Sequence, residues 1–291
     1  MKIFKNKKIL ISEISMQKNI AFVPTMGSIH KGHISLINRA KKKFKTILVS
    51  IYVNPKQFNS KTDFKSYPRN LNKDIALLRK LRINYLYIPE YNDIYSFNTK
   101  SKIYLDKFSK TLCGKYKPGH FKGVINVVNR LLEIIKPHTI FLGIKDYQQL
   151  TLIKMHISKN KIETSVMACP TIRESNGVAL SSRNIRLNKH QFGIASNVYK
   201  YLKKNKKEIF SINLKYGKKK FKNKIKYIVV DRQPPNILQI DSGDSFEKKG
   251  EKLILRNVAK NELGLLICGN LPKRALQFGS RIVRVIEKGI V

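Results

Sequence analysis

The chain has 291 residues, enough for one large domain or two smaller ones around a sizeable core. Its formal charge is +41, but 46 of the 59 basic residues are Lys and 13 are Arg, and Trp is absent. Lys, Asn and Ile share AT-rich codons, so the excess reads as compositional drift rather than as a surface built for nucleic acid. No zinc-finger spacing, aromatic RNP signature or basic-region heptad argues otherwise. No apolar stretch approaches the roughly 18 residues of a membrane span, and the apolar run in MKIFKNKKILISEI is too short for a signal peptide. Cys113, Cys169 and Cys268 form no CxxC pair and no metal-ligand spacing. Reduced thiols in a cytoplasmic setting are the expectation.

In chain order, NIAFVPT (19–25) predicts a strand and HISLINRAKKKF (33–44) a helix. TILVSIYV (46–53) is a second strand, apolar throughout as when both faces of a parallel sheet are covered. A helix follows Pro68 within 64–82, and INYLYIPE (83–90) is a third strand. GVINVVNRLLEIIK (123–136) has helical apolar spacing and stops at Pro137. HTIFLGIKD (138–146) is a strand running into a polar loop, YQQLTLIKMHISKN (147–160) a helix and IETSVMACPTI (162–172) another strand. This alternation predicts an α/β fold, a Rossmann-like doubly wound parallel sheet, whose ligands sit beyond the carboxyl ends of the strands.

The character changes after RESNGVALSSRN (173–184). Residues 199–226 carry twelve lysines against one acid, Glu208, on a weakly amphipathic segment that reads as a solvated helix face. Short strand-like runs follow at 227–230, 237–240, 252–256, 263–269 and 281–287. The expected division is a first domain over 1–175 and a smaller α+β domain over 176–291.

PTMGSIHKGH (24–33) places two of the six histidines where a strand turns into a helix. A helix beginning near His33 would present free backbone N–H groups to an anion. Gly27 and Gly32 permit close backbone approach, and His30 and His33, three apart, would face one ligand as imidazolium or as N–H donors. A capped helix entrance with incidental histidines and a two-His metal site are the alternatives, the second weakened by the lack of a third ligand at useful spacing. In VNPKQF, Asn54 and Gln57 would lie over the sheet's carboxyl edge, able to donate to a carboxylate and accept from a hydroxyl. In GIKDYQQL, Lys145 offers a compact charge for phosphates, and Asp146 would bind ribose hydroxyls or support Mg2+. LSSR (180–183) supplies two hydroxyls and a guanidinium that suit polyphosphate. His120 in PGHFKG reads equally as a turn residue or a substrate-side residue.

The extended motif PTMGSIHKGH resembles the pantothenate synthetase family of the nucleotidylyltransferase superfamily. The resemblance recurs in VSIYVNPKQF (49–58), YPRNLNKD (67–74), KPGHFKGVINVVNRLLEIIKP (117–137), FLGIKDYQQL (141–150) and RESNGVALSSRN (173–184), and so covers most of the first 184 residues. It implies a ligase that joins pantoate to β-alanine, with ATP as co-substrate and Mg2+ as cofactor, acting in the cytoplasm as a homodimer with no specific nucleic-acid partner.

The resemblance assigns ATP to Met26, Gly27, Ser28, Ile29, His30, Lys31, Gly32 and His33, to Gly143, Ile144, Lys145 and Asp146, to Ile172, and to Leu180, Ser181, Ser182 and Arg183. It assigns pantoate to Gln57 and Gln149, with Asn54 beside them, and catalysis to His33, His30, Lys145 and Arg183. The 176–291 domain becomes a lid. Three positions depart from the family pattern: Ile144 where Glu or another polar residue is common, Asn176 for Asp, and Lys122 for Arg.

Overall fold

The computed structural model describes residues 1–204, 225–229 and 239–242. They fall in two compact units, Met1–Ile172 and Arg173–Val291. The first unit is built on a six-stranded, all-parallel sheet. Its strands are β1 (Lys2–Phe4), β2 (Ile20–Thr25), β3 (Thr46–Ile51), β4 (Tyr85–Tyr87), β5 (Thr139–Gly143) and β6 (Ser165–Cys169), in the spatial order β1-β4-β3-β2-β5-β6. The central strands β2, β3 and β5 are almost wholly buried, which explains why their sequences are apolar without alternation.

Helices cover both faces. On one side lie α1 (Lys7–Ile14), α7 (His120–Ile135) and α8 (Tyr147–Lys159), whose buried residues join one core cluster with Phe22, Leu48 and Ile140. Eleven of the sixteen α7 residues are buried, so that helix is clasped by its neighbours rather than laid on the surface. On the other side, α2 (Lys31–Lys41) and α4 (Leu71–Lys80) pack Leu36, Ile37, Ala40 and Leu78 against Val23, Val49 and Phe141. Short helices α3 (Lys61–Lys65), α5 (Tyr91–Tyr95) and α6 (Leu112–Tyr116) fill the connections.

The expected doubly wound sheet is present, with differences at the ends of elements. The first strand and helix, β1 and α1, have no counterpart in the pattern reading: three residues are too few for a strand period to show. Asn6 starts α1 by accepting the Lys8 N–H at 2.8 Å. Helix α2 starts at Lys31, two residues before the expected 33.

Strand order reverses between β2 and β5. Chain order runs outward from β2 through β3 and β4 on one side and from β5 to β6 on the other. That reversal is the topological switch point at which doubly wound sheets bind ligands, and the segments 24–33 and 143–149 leave the sheet there.

The second unit contains α9 (Lys189–Lys204) and an antiparallel pair, β7 (Ile225–Val229) with β8 (Gln239–Ser242). These two strands partly overlap the runs expected at 227–230 and 237–240. The runs at 252–256, 263–269 and 281–287, most of the lysine-rich segment and Cys268 lie outside the described residues. No helix among the described residues is long and apolar enough to cross a membrane.

Candidate active site

The chain leaves β2 through a turn fixed by side chains. The Thr25 hydroxyl donates to the Ser50 carbonyl at 2.8 Å and accepts the Gly27 N–H at 3.1 Å. Gly27 has φ +80°, and a Cβ there would meet Asp74 Oδ2 at 3.0 Å and Ile51 Cγ2 at 3.2 Å, so conformation and space both require glycine. Ser28 follows at φ +52°. Asp74, on the first turn of α4 and 3% exposed, accepts the Ser28 and Ile29 N–H groups, each at 2.8 Å.

His30 is the N-cap of α2 and His33 its third residue, and they cap the helix reciprocally. The Gly32 N–H donates to His30 Nδ1 at 3.1 Å, and the His30 N–H donates to His33 Nδ1 at 3.3 Å. The rings stack with centroids 4.0 Å apart and planes 27° apart. A nitrogen that accepts carries no proton, so each neutral ring holds its hydrogen on Nε2. Burial, then the Lys145 ammonium, pushes His30 down to about 4. Burial, then His30, then Lys145, pushes His33 down to about 3.

Two expectations are corrected here. The imidazolium form of the pair does not apply near neutral pH; both rings act as neutral Nε2–H donors. The helix entrance also offers fewer free N–H groups than expected, because those of Gly27, Ser28, Ile29, His30 and Gly32 are bonded inside the protein. The Ser28 and Ile29 N–H groups are thus held by Asp74.

Lys145 and Asp146 stand in a single helical turn at the end of β5, with Lys145 Nζ 3.6 Å from Asp146 Oδ2. Both bear electrostatically on His30, so the sheet brings the 24–33 and 143–146 segments to one place. Ile144, the departure from the family pattern, packs against the hydrophobic core and turns away from any polar role. The two adjacent glutamines part company. Gln148 is buried, donating to the Phe108 and Thr111 carbonyls at 2.8 and 2.9 Å and accepting the Cys113 N–H at 3.1 Å. Gln149 is half-buried, its amide unpartnered among the described residues.

Past β3, Asn54 caps the single turn Pro55–Gln57. It is 1% exposed; Oδ1 accepts the Lys56 N–H at 3.2 Å and the Tyr95 hydroxyl at 2.9 Å, and Nδ2 donates to the Gly123 carbonyl at 3.1 Å and Gln57 Oε1 at 3.3 Å. Its hydrogen-bonding capacity is spent. The expected substrate contact at Asn54 is corrected to a supporting one: it orients Gln57. The Gln57 amide also donates to Met26 Sδ at 2.9 Å, which fixes which end is nitrogen and leaves one N–H and one lone pair for a ligand. His120, first residue of α7, donates from Nδ1 to the Gln57 carbonyl at 2.7 Å, so it holds the turn whatever else its ring contacts.

In the second unit, the Ser181 hydroxyl accepts the Arg183 N–H at 3.2 Å, Leu180 and Ser182 are buried and Arg183 is half-buried. Asn176 Oδ1 accepts the Val178 N–H at 3.1 Å, a turn bond for which asparagine suffices. Ile172, half-buried, ends the first unit. Among the described residues, no group of three or more His, Cys, Asp or Glu side chains is placed to hold a metal ion.

Sequence reasoning missed Asp74 as part of this site and, although it placed Met26 there, did not foresee the contact of its sulfur with Gln57. The only signal for Asp74 was its place at the end of YPRNLNKD, a stretch with no chemistry of its own.

The family model described as Pantoate-beta-alanine ligase matches residues 2–265. The chain belongs to the pantoate-beta-alanine ligase family. A pantothenate synthetase of Pseudothermotoga lettingae is 39% identical over 233 residues, 77% of this chain and 83% of the relative. One from Francisella tularensis subsp. novicida is 43% identical over 190 residues, 65% and 73% of the two chains. Among solved structures, the Francisella tularensis ligase complexed with beta-gamma ATP and beta-alanine superposes with TM-score 0.65 at 42% identity, covering 69% of this chain and 78% of that one. The Thermus thermophilus enzyme superposes with TM-score 0.69 at 29% identity, covering 83% and 91%. As a member of this ligase family, the chain has its two histidines, Lys145 and Gln57 on the first unit alone.

Proposed function

We propose that this chain is an ATP-dependent pantoate–β-alanine ligase that forms pantothenate through a pantoyl adenylate, releasing pyrophosphate and AMP. The observation that carries the reading is the meeting, at the switch point of the sheet, of two neutral N–H-donating imidazoles with the Lys145 ammonium. That combination suits charge developing on a transferring phosphoryl group.

In the first step a pantoate carboxylate oxygen attacks the α-phosphorus of ATP, and the bond to the β,γ-pyrophosphate breaks. In the second, the β-alanine amine attacks the acyl carbon, a proton leaves the nitrogen and AMP departs. Adenylation is needed because a carboxylate is a poor acyl donor. His30 and His33 would donate Nε2–H to phosphate oxygens, and Lys145 would neutralise charge beside them. Gln57, held by Asn54 and Met26, and Gln149 would receive the hydroxy acid. Arg183 and the Ser181–Ser182 hydroxyls would meet the departing pyrophosphate, with the second unit serving as a lid that keeps water from the adenylate.

Asp146, whose carboxylate lies 3.6 Å from Lys145 Nζ, would help hold Mg2+ beside the ATP phosphates, where the ion would supply charge neutralisation. A homodimer in the cytoplasm completes the reading. The test is pyrophosphate release from ATP: it should depend on pantoate and proceed, for one turnover, without β-alanine. Release indifferent to pantoate would defeat the proposal.

A further inference from the structure

We propose that Asp74 is a positioning residue for the adenylation step, acting through the turn that delivers His30 and His33. The inference rests on the functional reading above. The Asp74 carboxylate is buried, and both its oxygens are spent on adjacent backbone donors, the N–H groups of Ser28 and Ile29. Two parallel charge-assisted bonds fix the orientation of two consecutive peptide planes. Those planes flank Ser28, which holds a left-handed backbone at φ +52° that a side-chain-bearing residue adopts only under constraint. Gly27, also left-handed at φ +80°, lets the carboxylate approach: a Cβ at that position would stand 3.0 Å from Asp74 Oδ2.

The constrained peptides lead directly into His30, whose own N–H engages His33. The turn and the reciprocal cap are thus one continuous chain of bonds from α4 to the two Nε2–H donors. The arrangement also explains why a buried carboxylate lies close to a site for polyphosphate. Its charge is turned onto the Ser28 and Ile29 N–H groups rather than toward the phosphates. Displacing the imidazoles by about 1 Å costs on the order of a hundredfold in rate.

Asp74→Asn keeps the shape but offers an oxygen to one N–H and an amide nitrogen to the other. The folded variant should form pyrophosphate in a single turnover ten- to a hundredfold more slowly. The reaction of supplied pantoyl adenylate with β-alanine, and the KM for β-alanine, should stay within twofold of the unsubstituted chain. Adding Ser28→Gly to Asp74→Asn, which removes the cost of the left-handed backbone, should recover part of the loss. A folded Asp74→Asn chain that adenylates within threefold of the unsubstituted one, or that loses both steps in equal proportion, overturns the proposal.

Amide hydrogen exchange on the unsubstituted chain decides the matter even if the variant does not fold. Ser28 and Ile29 should be protected without ligand and gain no further protection with a non-hydrolysable ATP analogue. Amides that are open in the free protein and become protected only with the analogue are phosphate ligands, and Asp74 is then no clamp. Failure of the functional reading looks different: the unsubstituted chain would release no pantoate-dependent pyrophosphate, whatever its exchange pattern.

Discussion

The His30 N–H donates to His33 Nδ1 at 3.3 Å while the two rings stack 4.0 Å apart, so the pair builds its own helix cap and fixes its own tautomers. Protonating either Nδ1 would break a cap bond, and burial already disfavours the charged rings. Unfolded, each ring takes a proton near 6.5; folded, His30 does so at about 4 and His33 at about 3. Between those values the unfolded chain binds more protons than the folded one, so stability rises with pH through that window. The pair's contribution is full above 6.5 and is lost progressively as pH falls toward 4 for His30 and toward 3 for His33. Denaturant midpoints should therefore fall on acidification, and fall less in a His30→Asn/His33→Asn chain. Nitrogen-15 spectra near neutrality should show two Nε2–H imidazoles; an imidazolium at either position contradicts the assignment.

His33→Ala should lower the rate of pyrophosphate formation by about two to three orders of magnitude, the range for removing one pre-positioned donor to a developing charge. It should also cost about 1 kcal/mol of stability, because the His30 N–H loses its acceptor. Single-turnover rates and thermal unfolding separate the two effects. A folded variant with near-normal turnover removes His33 from the chemistry.

The layered sheet was legible in the sequence because buried parallel strands such as IAFVPT and TILVSI carry no polar alternation, and helices between them do. The motif segments likewise announced where the chemistry gathers. Bond partners were not legible. Asn54 and Gln57 have equivalent amides and sit three apart, yet one is saturated and the other keeps capacity to spare, a difference decided by Tyr95 and Gly123 far along the chain. Gln148 and Gln149 divide in the same way through the Phe108–Cys113 segment. The occupied N–H groups at the helix entrance depend on Asp74, 46 residues from Ser28. Local pattern carries periodicity, whereas satisfaction of a polar group depends on tertiary neighbours.

Gly123→Ala tests the contact that seats the Gln57 turn. A Cβ at 123 would stand 2.2 Å from the Lys56 carbonyl and 2.8 Å from Gln57 Cα, both backbone atoms that cannot swing aside. Helix α7 and the turn must separate, at a cost of about 1–3 kcal/mol. The KM for pantoate should rise, with the KM for ATP nearly unchanged. Unaltered stability and pantoate affinity would show that the turn does not depend on this approach.

Gln57→Ala should chiefly impair use of pantoate, and Lys145→Ala chiefly use of ATP or its chemistry. A neutral amide with one donor and one acceptor to spare suits a hydroxy acid, whereas a compact cation suits phosphate. Steady-state kinetics with each substrate varied in turn read the split directly. The reverse pattern would exchange the two subsites.

In the proposed reaction, pantoate is activated through its own carboxylate oxygen on the α-phosphorus of ATP. Pantoate labelled with oxygen-18 in both carboxylate positions tests it directly, with mass spectrometry of the AMP and pantothenate formed in the presence of ATP and β-alanine. Attack on the α-phosphorus followed by acyl transfer places one labelled oxygen in AMP and leaves one in the amide carbonyl of pantothenate. AMP without label, or label recovered in inorganic phosphate, would contradict the adenylate route.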